Sequence, residues 1–179
     1  MAAKAQKSTM SLKERLYNLP QAAGIAIMAV LLVASLFIGN FRALQGATPK
    51  DFIRQGDVKS IIEDRVDAAM NAATVAQRAG MDVQAVRNAA EALEEAKTAR
   101  DISRADQDLA QAVSALTTAQ LQGEEARNMQ RAADDFAEMG SFLRQEARAY
   151  NEKAEKAEKL YDGLPTRFVL PEPDVYEGI

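Results

Sequence analysis

Between positions 16 and 41 the chain carries no Lys, Arg, Asp or Glu, and its inner part, residues 22–38, reads AAGIAIMAVLLVASLFI. About 20 consecutive apolar residues suffice for a helix to cross a bilayer, so residues 19–42 are expected to be a transmembrane anchor in contact with lipid. A cleaved signal peptide is the rival reading, because a basic start precedes the run and small residues, Ala43 and Ala47, follow it. The run is longer than the 7–15 apolar residues usual for a signal sequence, which favours a retained anchor. Pro20 suits the first turn of that helix, where its missing N–H costs little.

Everything after the anchor is polar, Ala-rich and helical in pattern. Aromatic residues make up 6% of the chain and Trp is absent, so the core must come from Ala, Leu, Val, Ile and Met. Close-packed helices suit such a core better than a sandwich or barrel. Cys and His are absent, which excludes disulfides, thiol chemistry, imidazole bases and ordinary zinc or haem ligation.

Charge divides the chain. Residues 1–18 form a short basic tail, with Lys4, Lys7, Lys13 and Arg15 against Glu14. The whole chain carries −4, so residues 16–179 carry −7. That acidic balance argues against nucleic acid as a partner. Basic residues close to the N-terminal side of the apolar run place the N-terminus in the cytoplasm and the soluble part outside it.

Helical periodicity continues downstream. Thr48 and Pro49 look like an N-cap and first-turn pair, and Val58, Ile62, Val66, Ala69, Ala73 and Ala76 then mark one helix face. Gly80 offers a stop, and Asp82 a cap for a second helix with Val83, Val86, Ala90 and Leu93 on its stripe. Continuing that stripe would place Lys97, Arg100 and Arg104 in the core. It restarts out of phase at Ile102, Ala105, Leu109, Val113 and Leu116, so a break is expected between Asp101 and Ser103, with Ser103 and Asp106 as a capping box. After Gly123 the longest stripe runs through Met129, Ala132, Phe136, Met139, Leu143, Ala147, Tyr150, Ala154, Ala157 and Tyr161. Gly163 and Pro165 end it, and residues 166–179 form an extended, Pro-containing tail.

The expected fold is all-α. A single N-terminal transmembrane helix precedes an antiparallel up-down bundle over residues 43–165. It has three long helices, the middle one kinked or broken, so four segments in effect.

Near the end of the last helix stand Ala147-Arg148-Ala149-Tyr150-Asn151, then Ala154 and Leu164-Pro165. This resembles the AR-x-YN-x-x-V…F-P signature that closes proteins of the LemA family. It is similar to a divergent branch. The RR-x-x-LIPNLV-like stretch is not recognisable in residues 53–65, and Ala157-Glu158 stands where a second Tyr/Phe-Asn pair is expected. The resemblance implies a bacterial, membrane-anchored antiparallel bundle of the cytoplasmic membrane with no established enzymatic activity. It points to Arg148, Tyr150, Asn151 and Pro165 as family-motif positions with a structural or interaction role.

Other chemistry is sparse. Glu94–Glu95, Glu124–Glu125 and Asp134–Asp135 could suggest cation binding, but a bundle di-metal site uses Glu-x-x-His, and acidic pairs ordinarily lie on solvated faces. No catalytic, cofactor or metal residues are assigned, and no phosphate-cradling loop or nucleophile elbow occurs. The function expected is a non-enzymatic interaction or scaffold module at the envelope, with unidentified protein partners and a capacity to self-associate. The alternative is a tethered helical module that senses a small molecule or ion.

Overall fold

Residues 20–117 and 121–178 are described by a computed structural model, and the basic tail expected over residues 1–18 lies outside them. Among the described residues the structure is all-helical, with five α-helices and no strand. They fall into two compact units that divide between Asn40 and Phe41.

The first unit holds nearly all of helix α1, Gln21–Ala43. Pro20 opens it, its carbonyl accepting from Ala23 and Gly24 N–H at 2.8 and 3.2 Å. The helix has 23 residues and no buried side chain, and at ~1.5 Å per residue it extends about 35 Å, enough to cross a bilayer's hydrocarbon layer. The hydroxyl of Ser35 is satisfied within the helix by Leu31 O at 2.7 Å, the usual solution where water is scarce.

The second unit contains α2 (Val58–Arg78), α3 (Gln84–Glu95), α4 (Ala99–Thr117) and α5 (Gly123–Tyr161). Helix α2 begins at Val58, not at Thr48–Pro49. The Thr48–Pro49 pair instead sits in a turn organised by Asp51, whose Oδ2 accepts the N–H groups of Thr48 and Gly46 and the Thr48 hydroxyl. A 3₁₀ turn, Phe52–Arg54, drives Phe52 into the core. At its other end α2 closes as the sequence suggests. Gly80, with φ +79°, lets its own N–H reach Gln77 O and that of Met81 reach Ala76 O, both at 3.0 Å. These are the two bonds of a Schellman stop. Asp82 Oδ1 then accepts Gln84 N–H at 2.9 Å.

The break between α3 and α4 comes earlier than expected. Ala96 is extended (ψ 137°) and α4 begins at Ala99. The capping residue is Thr98, whose Oγ1 accepts Asp101 N–H at 3.1 Å and donates to Asp101 Oδ2 at 2.7 Å. Ser103 and Asp106 therefore cap nothing; both are buried within α4.

The expected apolar stripes are the core. Leu93, Ile102, Leu109 and Leu143 are fully buried, each contributing about 1.5–3 kcal/mol of burial. Ala69, Ala72, Ala73 and Ala76 on α2 are buried too, and their small side chains allow neighbouring backbones to come close. Helix α5 packs chiefly along α2, and α3 packs on both α2 and α4. The tail is extended as expected, but only in its last residues, and those residues are not loose. Residues 162–170 form turns, and Pro173, Asp174 and Tyr176 are buried.

Candidate functional site

Two positions on the apolar stripes carry a charged side chain. Arg65 lies between Ile62 and Val66 on the inner face of α2, and Asp106 between Ile102 and Leu109 on that of α4. An unpaired charge there would be prohibitively costly. The fold brings the two together: Arg65 Nε donates to Asp106 Oδ1 in a close ion pair, with Arg65 2% and Asp106 5% exposed. Arg65 Nη1 also donates to Phe136 O on α5 at 2.7 Å, and its guanidinium lies 3.9 Å from the centre of the Phe136 ring. Gly140 makes room for this arrangement. A Cβ at that position would stand 2.3 Å from Arg65 Nη1 and 2.9 Å from its Cζ.

The second oxygen of Asp106 receives a chain element from 70 residues away. Tyr176 donates its hydroxyl to Asp106 Oδ2 at 3.0 Å, and its ring meets that of Phe52 edge-on at 5.5 Å. Phe52 in turn packs on Tyr150 at 5.1 Å. Two aromatic contacts and a buried hydroxyl bond thus fasten the tail to α4, α5 and the 3₁₀ turn.

The backbone of the tail is read just as closely. Asn151 donates from Nδ2 to Tyr176 O at 2.8 Å and accepts Tyr176 N–H at Oδ1 at 2.9 Å. Ser103 donates its hydroxyl to Glu177 O at 2.6 Å. Asp174 donates its N–H to Ala47 O at 3.2 Å, and its carboxylate accepts Arg100 N–H at 3.1 Å. Arg100 Nε lies 3.6 Å from Asp174 Oδ1 and 3.2 Å from Glu177 Oε1.

Burial, then the negative charges of Asp174 and Asp51, pushes the Tyr150 phenol above its ordinary range. Burial likewise raises Tyr176, and the charge and hydrogen bond of Asp106 raise it further. Both rings are therefore neutral donors at physiological pH. Chemically, the constellation holds one extended segment, residues 173–177, through its side chains and its backbone together.

The four motif positions separate. Tyr150 is fully buried, its hydroxyl donating to Thr48 O at 3.3 Å, and Asn151 clamps Tyr176. Arg148 is exposed on the outer face of α5, beside Arg144 and Glu152 on an open surface recess. Pro165 is exposed in the turn after α5. The acidic pairs Glu94–Glu95, Glu124–Glu125 and Asp134–Asp135 are all exposed. Among the described residues, no group of three or more acidic side chains is placed to hold a metal ion. Sequence reasoning passed over Arg65 and read Ser103 and Asp106 only as a capping box; the signal at Arg65 and Asp106 was a charged residue at a stripe position, three or four residues from apolar neighbours on both sides. No protein-family model matches the chain, and no curated protein or solved structure is significantly similar to it.

Proposed function

We propose that the chain is a non-enzymatic, single-pass protein of the bacterial cytoplasmic membrane, a divergent LemA-like protein whose helical unit is an interaction or scaffold module. The observation that carries this reading is the pairing of α1, 23 residues long with no buried side chain, with a second unit whose interior polar groups are committed to one another. In this reading α2 to α5 form an antiparallel bundle outside the cytoplasm. The cross-helix contacts support that order: Gln55 meets Lys153, Arg65 meets Phe136, and Arg78 shares a groove with Arg131. Numbers rise along α2 as they fall along α5. Short connections at Gly80 and near Gly123 favour the same order.

A ligand-sensing interior would need inward polar groups free to take a ligand. Arg65, Ser103, Asp106 and Tyr176 are instead spent on internal bonds, which favours a module that works through its outer faces. Its partners are other proteins and further copies of itself.

Membrane fractionation tests the anchor. The full chain stays with membranes through an alkaline carbonate wash, and a variant lacking residues 20–43 is released. Cross-linking in those membranes tests the module, with discrete adducts to a partner or a second copy expected. A chain that washes off, or one that yields only uncross-linked monomer, overturns the reading. Because the chain has no Cys, Lys97→Cys with a membrane-impermeant maleimide reports sidedness, with labelling of intact cells expected.

A further inference from the structure

Outside α1, four large apolar side chains are exposed among the described residues: Phe142, Leu160, Phe168 and Val169. Phe168 (85% exposed) and Val169 (73%) are more exposed than any large apolar side chain of α1 itself. They sit side by side at the tip of a turn held by its own hydrogen bonds. Val169 and Leu170 N–H both donate to Thr166 O, at 3.0 and 3.1 Å, and the Tyr161 hydroxyl donates to Arg167 O. The Arg167 guanidinium lies 4.8 Å from the centre of the Phe168 ring. The backbone thus fixes two apolar side chains in an outward position, flanked by a cation and a tyrosine.

Their place within the second unit is informative. Helix α5 passes Phe136 beside Arg65 and Lys153 beside Gln55, then runs on past the start of α2 to Tyr161. From Tyr150, bonded to Thr48 O, that is about 16 Å of further helix. On the far side of the turn, Asp174 is bonded to Ala47 O. The turn therefore lies at the end of the unit where residues 44–48 enter it. Those residues directly follow Ala43, the last of α1, so only a few residues of chain separate that end from any bilayer α1 spans.

We propose that Phe168 and Val169 insert into the headgroup–acyl boundary of that bilayer, giving the helical unit a second membrane contact; this rests on α1 being an anchor. The chemistry fits an interface: an apolar tip enters the acyl boundary, while Arg167 and Tyr161 stay at headgroup level. The tether holds the tip at high effective concentration near lipid. A protein occupant fits less well, since two side chains offer far less than the roughly 800 Å² that each partner contributes to a stable protein interface.

The test uses the full chain in phosphatidylcholine vesicles with a nitroxide at Val169→Cys, Val30→Cys or Arg127→Cys, reading collision with oxygen against a water-soluble nickel chelate. The expected oxygen-to-nickel ratio is high at 30, low at 127 and severalfold above the 127 value at 169. It falls towards the 127 value when Phe168→Ser is added. A 169 ratio equal to that at 127, with 30 in lipid, overturns insertion and leaves the anchor standing. A watery ratio at 30 removes both. A 169 site shielded from both agents assigns the turn to a protein contact, and a ratio unmoved by Phe168→Ser shows that the probe alone inserts; either result overturns the proposal.

Discussion

Replacing Asp106 with Ala leaves the Arg65 guanidinium in the core without its counter-ion. Arg65 is 2% exposed, so water cannot substitute for the lost carboxylate. It keeps the Phe136 carbonyl at 2.7 Å and the Phe136 ring at 3.9 Å, but neither carries a net charge. Arg144 makes matters worse, since its guanidinium shares the space beside Gly140 with that of Arg65. Breaking a buried ion pair from one side costs about 3–5 kcal/mol. The Tyr176 hydroxyl loses its acceptor in the same step, at about 1–3 kcal/mol, a cost that overlaps the first because both groups reorganise together. For a helical unit of this size, each kcal/mol lowers the melting temperature by about 3–4 °C, so Asp106→Ala should melt about 10–20 °C below the parent. The assay is thermal unfolding of the full chain in a mild detergent, followed by near-ultraviolet circular dichroism of the tyrosines. The control removes the whole polar set: Arg65→Met, Asp106→Leu and Tyr176→Phe together should return stability to within about 2 kcal/mol of the parent, since apolar replacement of every partner avoids stranding any of them. If Asp106→Ala costs less than about 1 kcal/mol, or if the triple variant falls as far as the single one, the claim that this ion pair is buried and coupled fails.

The remaining predictions concern the same end of the molecule. Because the folded state holds the phenols of Tyr150 and Tyr176 above their ordinary range, the unfolded chain ionises first, near pH 10. Stability should thus be level below about pH 10 and fall above it by about 1.4 kcal/mol per pH unit for each tyrosine. A melting series should show Tyr176→Phe halving that alkaline slope, and an unchanged slope would count against the assignment. Gly140→Ala should destabilise by about 1–3 kcal/mol from overpacking, despite a helix-propensity gain of about 1 kcal/mol; denaturant titration giving a more stable variant would show that Arg65 can move aside. Asn151→Ala should cost about 1–3 kcal/mol by stranding the Tyr176 backbone, while Arg148→Ala should change stability by less than about 0.5 kcal/mol. Equal losses at the two positions would contradict the split of the motif into a clamp and a surface cation.

How much of this was legible beforehand depended on whether the deciding partner lay nearby in the chain. The stripes from Val58 to Ala76 and from Ile102 to Leu116 were legible because burial follows the helical period itself. The stop at Gly80 was legible because its two bonds close within five residues. Ser103 and Asp106 were misread for a physical reason. A capping box sets its two residues three apart, and so do two neighbouring side chains on one face of a continuous helix. Local spacing cannot separate these cases. What separates them is Arg65, 41 residues earlier, and Tyr176 and Glu177, 70 and 74 residues on from Asp106 and Ser103. The tail's docking went unread for the same reason. Pro171, Pro173 and the lack of a period describe a segment that cannot be a helix, but not whether it is loose or docked. Residues 173–177 meet no partner among their sequence neighbours; the backbone bonds are satisfied by Ala47, Ser103 and Asn151. The polar residues that broke the stripes were thus the places where local pattern and tertiary demand diverged. Where a helix with an otherwise clean apolar face carries one Arg or Asp on that face, the partner to look for lies in a distant segment with no period of its own.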